Sequence, residues 1–238
     1  MPEALANGVT LHYEEHGAGA PILGIHGSGS SAVLWEDAAA ELGRHGRTIV
    51  YDRRGFGRSE RPDPLELDVR VHAEDAAALL DVLGATPAIL IGRSYGADVA
   101  VDLALRRPEA VRALVLMEGL EKVTDEGSRW LAALTEEALA AAEAGPEAAV
   151  ETTFRSVLGD GSWEGLPEPV QQVFVANGPA LVAELRGGFL DVSAEQLAAV
   201  VQPALLVTGE DSLPLYAGVT DALARALPSA RVERVAGG

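Results

Sequence analysis

Short apolar runs recur along the chain, and stretches of helical periodicity separate them. VTLHYEEHG (9–17) alternates apolar and polar residues, as an edge strand or a hairpin does. PILGIHG (21–27), TIVYDRRG (48–55), PAILIGRS (87–94), VRALVLMEG (111–119) and PALLVTGE (203–210) are instead nearly continuous apolar runs. Strands of a parallel sheet, buried on both faces, read this way. ARVERVAG (230–237) is the last candidate strand. Between the runs, helical periodicity covers 32–42, 68–83, 95–106 and 216–227, and Pro108 and Pro228 follow two of these closely as stops. Strand–helix alternation of this kind predicts an α/β fold, a mostly parallel twisted sheet flanked by helices.

One stretch breaks the rhythm. From 122 to 199 no strand pattern appears. SRWLAALTEEALAAAEAG and PEAAVETTFRSVLG read as helices broken at Gly145-Pro146, and PEPVQQVFVANGPALVAEL reads as two more short ones. We therefore expect 1–121 and 200–238 to form the core, with 122–199 inserted as a helical cap.

Composition narrows the partners. The 238 residues are 48% hydrophobic, enough for a sizeable core. Asp and Glu number 36 against 18 Lys and Arg, a net charge of −18. Phosphate binding needs clustered cations, so neither nucleic acid nor an anionic membrane is an expected partner. There is no cysteine, which excludes disulfides, thiolate metal sites and a cysteine nucleophile. No basic start with an apolar run marks a signal peptide, and no apolar stretch has the length to span a bilayer. The expected setting is soluble and cytoplasmic.

The chemistry gathers at IGRSYGA (91–97). Gly92-Arg93-Ser94-Tyr95-Gly96 is G-x-S-x-G, and it ends an apolar strand and opens a helix. Such a turn holds a serine in strained backbone and points it away from the sheet. The glycines remove side chains that would strike the neighbouring strand and helix, and the helix start offers free N–H groups to a developing oxyanion. Ser94 is the candidate nucleophile. GIHGSGSSAVLW (24–35) supplies a second loop, whose Ser28 N–H would pair with the Tyr95 N–H as an oxyanion hole. His26, in that loop, is expected to brace it by hydrogen bonds rather than act as base.

HGSGSS (26–31), YDRRGFGRS (51–59), GRSYG (92–96), LVLMEG (114–119) and LLVTGEDS (205–212) together resemble the α/β-hydrolase superfamily, in its small bacterial esterase-like branch. The likeness covers everything but the cap. In YDRRGFGRS, Asp52, Arg53 and Arg54 are expected to be scaffold.

The resemblance implies a triad in the order Ser, Asp/Glu, His. The usual acid, in G-x-x-D after the strand that follows the cap, is here Ser212. Two carboxylates remain as acid: Glu118, which resembles the superfamily version with its acid on the earlier strand, and Asp211, one residue early. Glu118 is favoured. The family's histidine follows the last strand, in V-x-x-x-x-G-x-G-H, and this chain ends on the strand's glycines. The base is thus expected to lie beyond the chain, which as given would have little activity. His12, His16, His45 and His72 are expected in surface or capping roles.

The function implied is a serine hydrolase of esters of small or medium substrates, a carboxylesterase type that uses an acyl-enzyme. It needs no metal or organic cofactor, and its one expected partner is a small-molecule substrate. Trp130, Phe154, Trp163, Phe174 and Phe189 are expected to pack the cap, with an apolar acyl site as their alternative role. C–C hydrolase, lactonase and cofactor-free haloperoxidase chemistry stay open on such a scaffold, as does a non-catalytic ligand-binding protein. The oligomeric state is left open.

Overall fold

The computed structural model describes residues 2–159 and 161–236. Gly237 and Gly238, on which the last strand pattern runs out, lie outside the described residues.

Eight strands form one sheet, in the order β1-β2-β4-β3-β5-β6-β7-β8. They are β1 (Glu3–Ala6), β2 (Val9–His16), β3 (Pro21–Ile25), β4 (Arg47–Tyr51), β5 (Ala88–Arg93), β6 (Val111–Met117), β7 (Ala204–Gly209) and β8 (Ala230–Val235). β1 and β2 form an antiparallel hairpin, and β2 runs antiparallel to β4. Every other pairing is parallel. The alternating segment at 9–17 is thus the inner arm of a hairpin, and the short EALA strand before it takes the edge.

Helices α1 (Glu36–Leu42), α2 (Val69–Val82) and α3 (Tyr95–Arg106) connect the first strands. Between β6 and β7 the chain inserts α4 (Asp125–Ala141), α5 (Pro146–Leu158), α6 (Ser162–Gly165), α7 (Glu168–Ala176), α8 (Gly178–Gly187) and α9 (Ala194–Ala198). Then α10 (Leu215–Ala226) leads into β8. Local chemistry sets several boundaries. Asp68 caps α2 by accepting from the Val71 N–H at 2.7 Å, and Thr124 caps α4 through Gly127 N at 3.0 Å. Pro146 opens α5 after Gly145, and Ser193 with Gln196 forms a capping box on α9.

The largest apolar cluster lies between one sheet face and α2, α3 and α10, and it includes Leu90, Leu103, Leu114 and Leu206. A second is built within the inserted helices from Leu131, Leu134, Phe154, Trp163, Phe174 and Leu181 among others. The parallel register sets Ile25 beside Gly92, and Arg93 beside Met117. The loops after β3, β5, β6 and β7 therefore open along one edge of the sheet, where ligands bind in open α/β sheets.

Two histidines depart from expectation. His12 and His72 are fully buried, not on the surface or at a helix cap. His72 lies on the stripe of α2 that carries Val69, Ala73, Ala76 and Leu80, and that stripe faces the core.

Candidate active site

Ser94 sits between β5 and α3 at φ 51° and ψ −127°, a conformation that L-residues seldom adopt. Such a turn costs about 1–3 kcal/mol and persists only where its surroundings hold it. Here the Ser94 N–H donates to Met117 O at 2.8 Å, and Ser94 O accepts from Ala97 N at 2.7 Å. The flanking glycines are required by space. A Cβ at Gly92 would come within 2.2 Å of Gly96 O, and one at Gly96 within 2.2 Å of Ile25 O.

The loop after β3 passes directly beside this turn. A Cβ on Gly27 would lie 3.1 Å from the Ser94 Cβ. Neither the Ser28 N–H nor the Tyr95 N–H has a backbone partner among the described residues. His26 is fully occupied: Nδ1–H donates to Gly27 O at 2.8 Å and Nε2 accepts the Arg53 N–H at 3.0 Å. Burial, then the nearby Arg53 charge, holds its imidazole well below the usual range, so it is neutral. It has no free lone pair and serves the loop. Asp52 ties the loop's far end, accepting Ala32 N at 2.7 Å on one oxygen and Arg58 N at 2.9 Å on the other. Arg54 pairs with Asp75 at 2.6 Å.

The two candidate acids are placed differently. Glu118 follows β6 at φ 48°. Its Oε1 accepts Gly209 N at 2.9 Å, Thr208 Oγ1 at 3.3 Å and the Ser212 hydroxyl. Ser212, which replaces the usual aspartate, is thus a donor to Glu118. Asp211 is exposed and makes no hydrogen bond or ion pair among the described residues.

Ser94 opens into a cavity of about 340 Å³. The inserted helices give it an apolar wall, with Trp130, Leu134, Phe154, Phe174 and Phe189. Phe154 and Phe174 serve two roles, since they also pack the insert's own core. Trp163 does not reach the cavity and is core alone.

Glu121 and Tyr216 also line the cavity, and sequence reasoning missed both. The Tyr216 hydroxyl donates to Glu121 Oε1 at 2.9 Å. Burial raises the Glu121 carboxyl, with nearby Glu118 adding to the rise. Asp98, on the first turn of α3, is raised further, by burial first and then by Glu121 and Glu184. The Leu120 N–H faces Asp98 and eases its charge, yet neither carboxylate oxygen gains a hydrogen bond of full geometry.

None of the five histidines lines this cavity or hydrogen-bonds Ser94 or Glu118 among the described residues. His72 is neutral, its imidazole held well below the usual range by burial and then by Arg53. The described residues contain no group of three or more His, Cys, Asp or Glu arranged to hold a metal ion. No described helix is long and apolar enough to cross a membrane.

Comparison with known proteins gives a consistent relationship. The family model for the alpha/beta hydrolase fold matches residues 20–238. The chain is 40% identical over 118 residues to 2-hydroxymuconate semialdehyde hydrolase of Pseudomonas sp. (strain CF600), covering 48% of this chain and 42% of that one. It is 38% identical over 119 residues to putative carbamate hydrolase RutD of Azorhizobium caulinodans, covering 50% and 44%. The chain thus spans less than half the length of these curated relatives. Among solved structures, a thermophilic esterase from Thermogutta terrifontis superposes with a TM-score of 0.82 at 24% identity, covering 99% of this chain and 89% of that one. At that identity the likeness shows the fold.

Proposed function

The chain belongs to the α/β-hydrolase family, and from that premise we propose that it is the core of a serine hydrolase acting on esters of small or medium, largely apolar acyl groups. The observation that carries the reading is Ser94, held at φ 51° at the mouth of the apolar cavity. A plain tight turn has no use for that strain or for a serine aimed at a ligand-sized space.

In this reading Ser94 Oγ attacks the ester carbonyl and gives its proton to a histidine supplied from outside residues 1–238. Glu118 orients that histidine. Among the described residues its three hydrogen bonds all fall on Oε1, and in this reading Oε2 takes the imidazole. The Ser28 and Tyr95 N–H groups bind the oxyanion. The histidine then protonates the leaving alkoxide, and a water, deprotonated by the same base, resolves the acyl-enzyme. Asp211, exposed and without a partner among the described residues, is the weaker acid. The insert acts as the cap over the acyl group.

The curated relatives are named for a semialdehyde and a carbamate, so the scissile bond needs a direct test. Aryl esters of graded chain length, amides and carbamates should be offered to the full-length protein and to Ser94→Ala. The expected result is ester turnover that S94A lowers at least about 10³-fold. Turnover unchanged in S94A would end this reading.

A further inference from the structure

The largest fully buried side chain among the described residues is a cation, Arg53. It lies beneath the loop after β3, with its guanidinium 4.5 Å from the Phe56 ring centre and 4.9 Å from that of Tyr95. Its Nη1 donates to Glu184 of α8 at 2.6 Å, and both side chains are 0% exposed. Its Nη2 donates to Gly27 O at 3.0 Å. A second residue of the insert reaches the same loop. Asn177, between α7 and α8, donates from Nδ2 to Gly29 O and to Ser30 O, each at 3.0 Å. Its Oδ1 accepts Gly57 N at 2.8 Å, and the residue is 2% exposed.

These contacts decide where an N–H points. In a planar trans peptide, the carbonyl of one residue and the N–H of the next point in opposite directions. The Gly27 carbonyl is fixed from the buried side by Arg53 Nη2 and His26 Nδ1. The Ser28 N–H on the same peptide must then face the other way, toward the cavity that Gly27, Ser28 and Ser94 line. Asn177 fixes the Gly29 and Ser30 carbonyls further along, so the loop cannot roll about its axis.

We infer that Glu184 and Asn177, both from the inserted segment, are positioning residues. Glu184 acts through Arg53, and Asn177 acts directly, to hold residues 27–30 so that the Ser28 N–H is aimed at the oxyanion. This rests on the reading of Ser94 as nucleophile and Ser28 as oxyanion donor. The insert is then a structural part of the catalytic loop as well as a cover for the acyl group. Adhesion between insert and core does not require such a pair, because apolar residues of similar volume hold two surfaces together equally well. An ion pair that also holds a carbonyl supplies direction.

The test compares the full-length protein with the double variant Arg53→Met/Glu184→Met, with Asn177→Ala and with Ser94→Ala. The double variant keeps apolar volume at both positions. The readout is the ratio of kcat/KM for an ester to that for its thiono analogue, in which sulfur replaces the carbonyl oxygen. A partly unfolded sample slows both esters alike, whereas a misaimed N–H selectively loses the oxygen preference. Loss of one oxyanion donor costs about 10²–10³ in rate. We expect the ratio to fall about tenfold or more in the double variant and less in N177A, with KM nearly unchanged.

Binding of an aryl boronic acid, which forms a tetrahedral adduct on Ser94 without turnover, should weaken in the same order. An unchanged ratio and an unchanged boronate affinity in the double variant would overturn the inference. Ester hydrolysis and boronate binding that survive in S94A would overturn the reading of Ser94 as well, so the two failures are distinguishable.

Discussion

Two buried charged clusters lie near Ser94, and they are built on opposite rules. Beneath the 27–30 loop, Arg53 meets Glu184, two aromatic faces and a carbonyl. Past the end of β6, Asp98 and Glu121 are almost as deeply buried, at 1% and 4% exposure, and neither has an ion-pair partner among the described residues. The Tyr216 hydroxyl serves Glu121, and Lys122 eases Asp98 only from a distance while it pairs with Asp191. The first cluster can stay ionised because each charge has a counter-charge in contact. In the second, burial and like-charged neighbours raise both carboxyls above their ordinary range, which favours the protonated forms. One therefore supplies fixed direction, and the other supplies a dependence on pH.

The largest effect that would break this contrast is on stability. Glu184→Gln leaves Arg53 buried with no counter-ion, which should cost about 3–5 kcal/mol. The Arg53→Met/Glu184→Met double variant should lie near or above the wild type, because the desolvation cost leaves with both charges. Urea unfolding measures both. If E184Q matched the wild type, the pair would not be the buried contact described here.

Glu118 sits close to the second cluster and follows neither rule, since it has three neutral donors on one oxygen in place of a counter-charge. Glu118→Gln should therefore keep the shape and lose the orienting charge, lowering kcat by about 10²–10⁴. Asp211→Asn, on an exposed residue with no partner among the described residues, should stay within about threefold. Ester kinetics on the two variants side by side decide the matter, and the reverse ranking would transfer the acid role to Asp211.

Much of this is legible in the amino-acid sequence alone. Continuous apolar runs ending in glycine mark the parallel strands, because nothing else buries both faces of an extended segment. The G-x-S-x-G turn is readable because its glycines answer a backbone collision, whatever the substrate. β1 escaped notice because EALA is too short to carry a period. The buried polar residues escaped for another reason: each sits in a position where sequence habit assigns a polar residue to solvent. Glu184 lies between Leu181 and Leu185 on the apolar stripe of α8, as His72 lies between Val69 and Ala76 on α2. A charged residue in register with the core face was the available signal. Asn177 and Glu121 gave none, since both lie outside regular periodicity and their partners are far away in sequence.

The smallest effect is also the one that most sharpens the contrast. Burial, then the neighbouring Glu121 and Glu184, raises the Asp98 carboxyl well above its ordinary range. The native state thus keeps a proton that the unfolded chain releases near pH 4. The stability linked to that proton is fully present below the unfolded value and is lost as pH rises through the native one. Asp98→Asn has the same shape and no charge to suppress, so it removes this loss. Its melting temperature relative to the wild type should rise as pH climbs above the unfolded value, reaching a gap on the order of a few degrees. Using the difference between the two proteins cancels the slope from Asp75, which burial also raises. Parallel melting curves would mean that Asp98 is charged and compensated in the native state. The two clusters would then follow one rule.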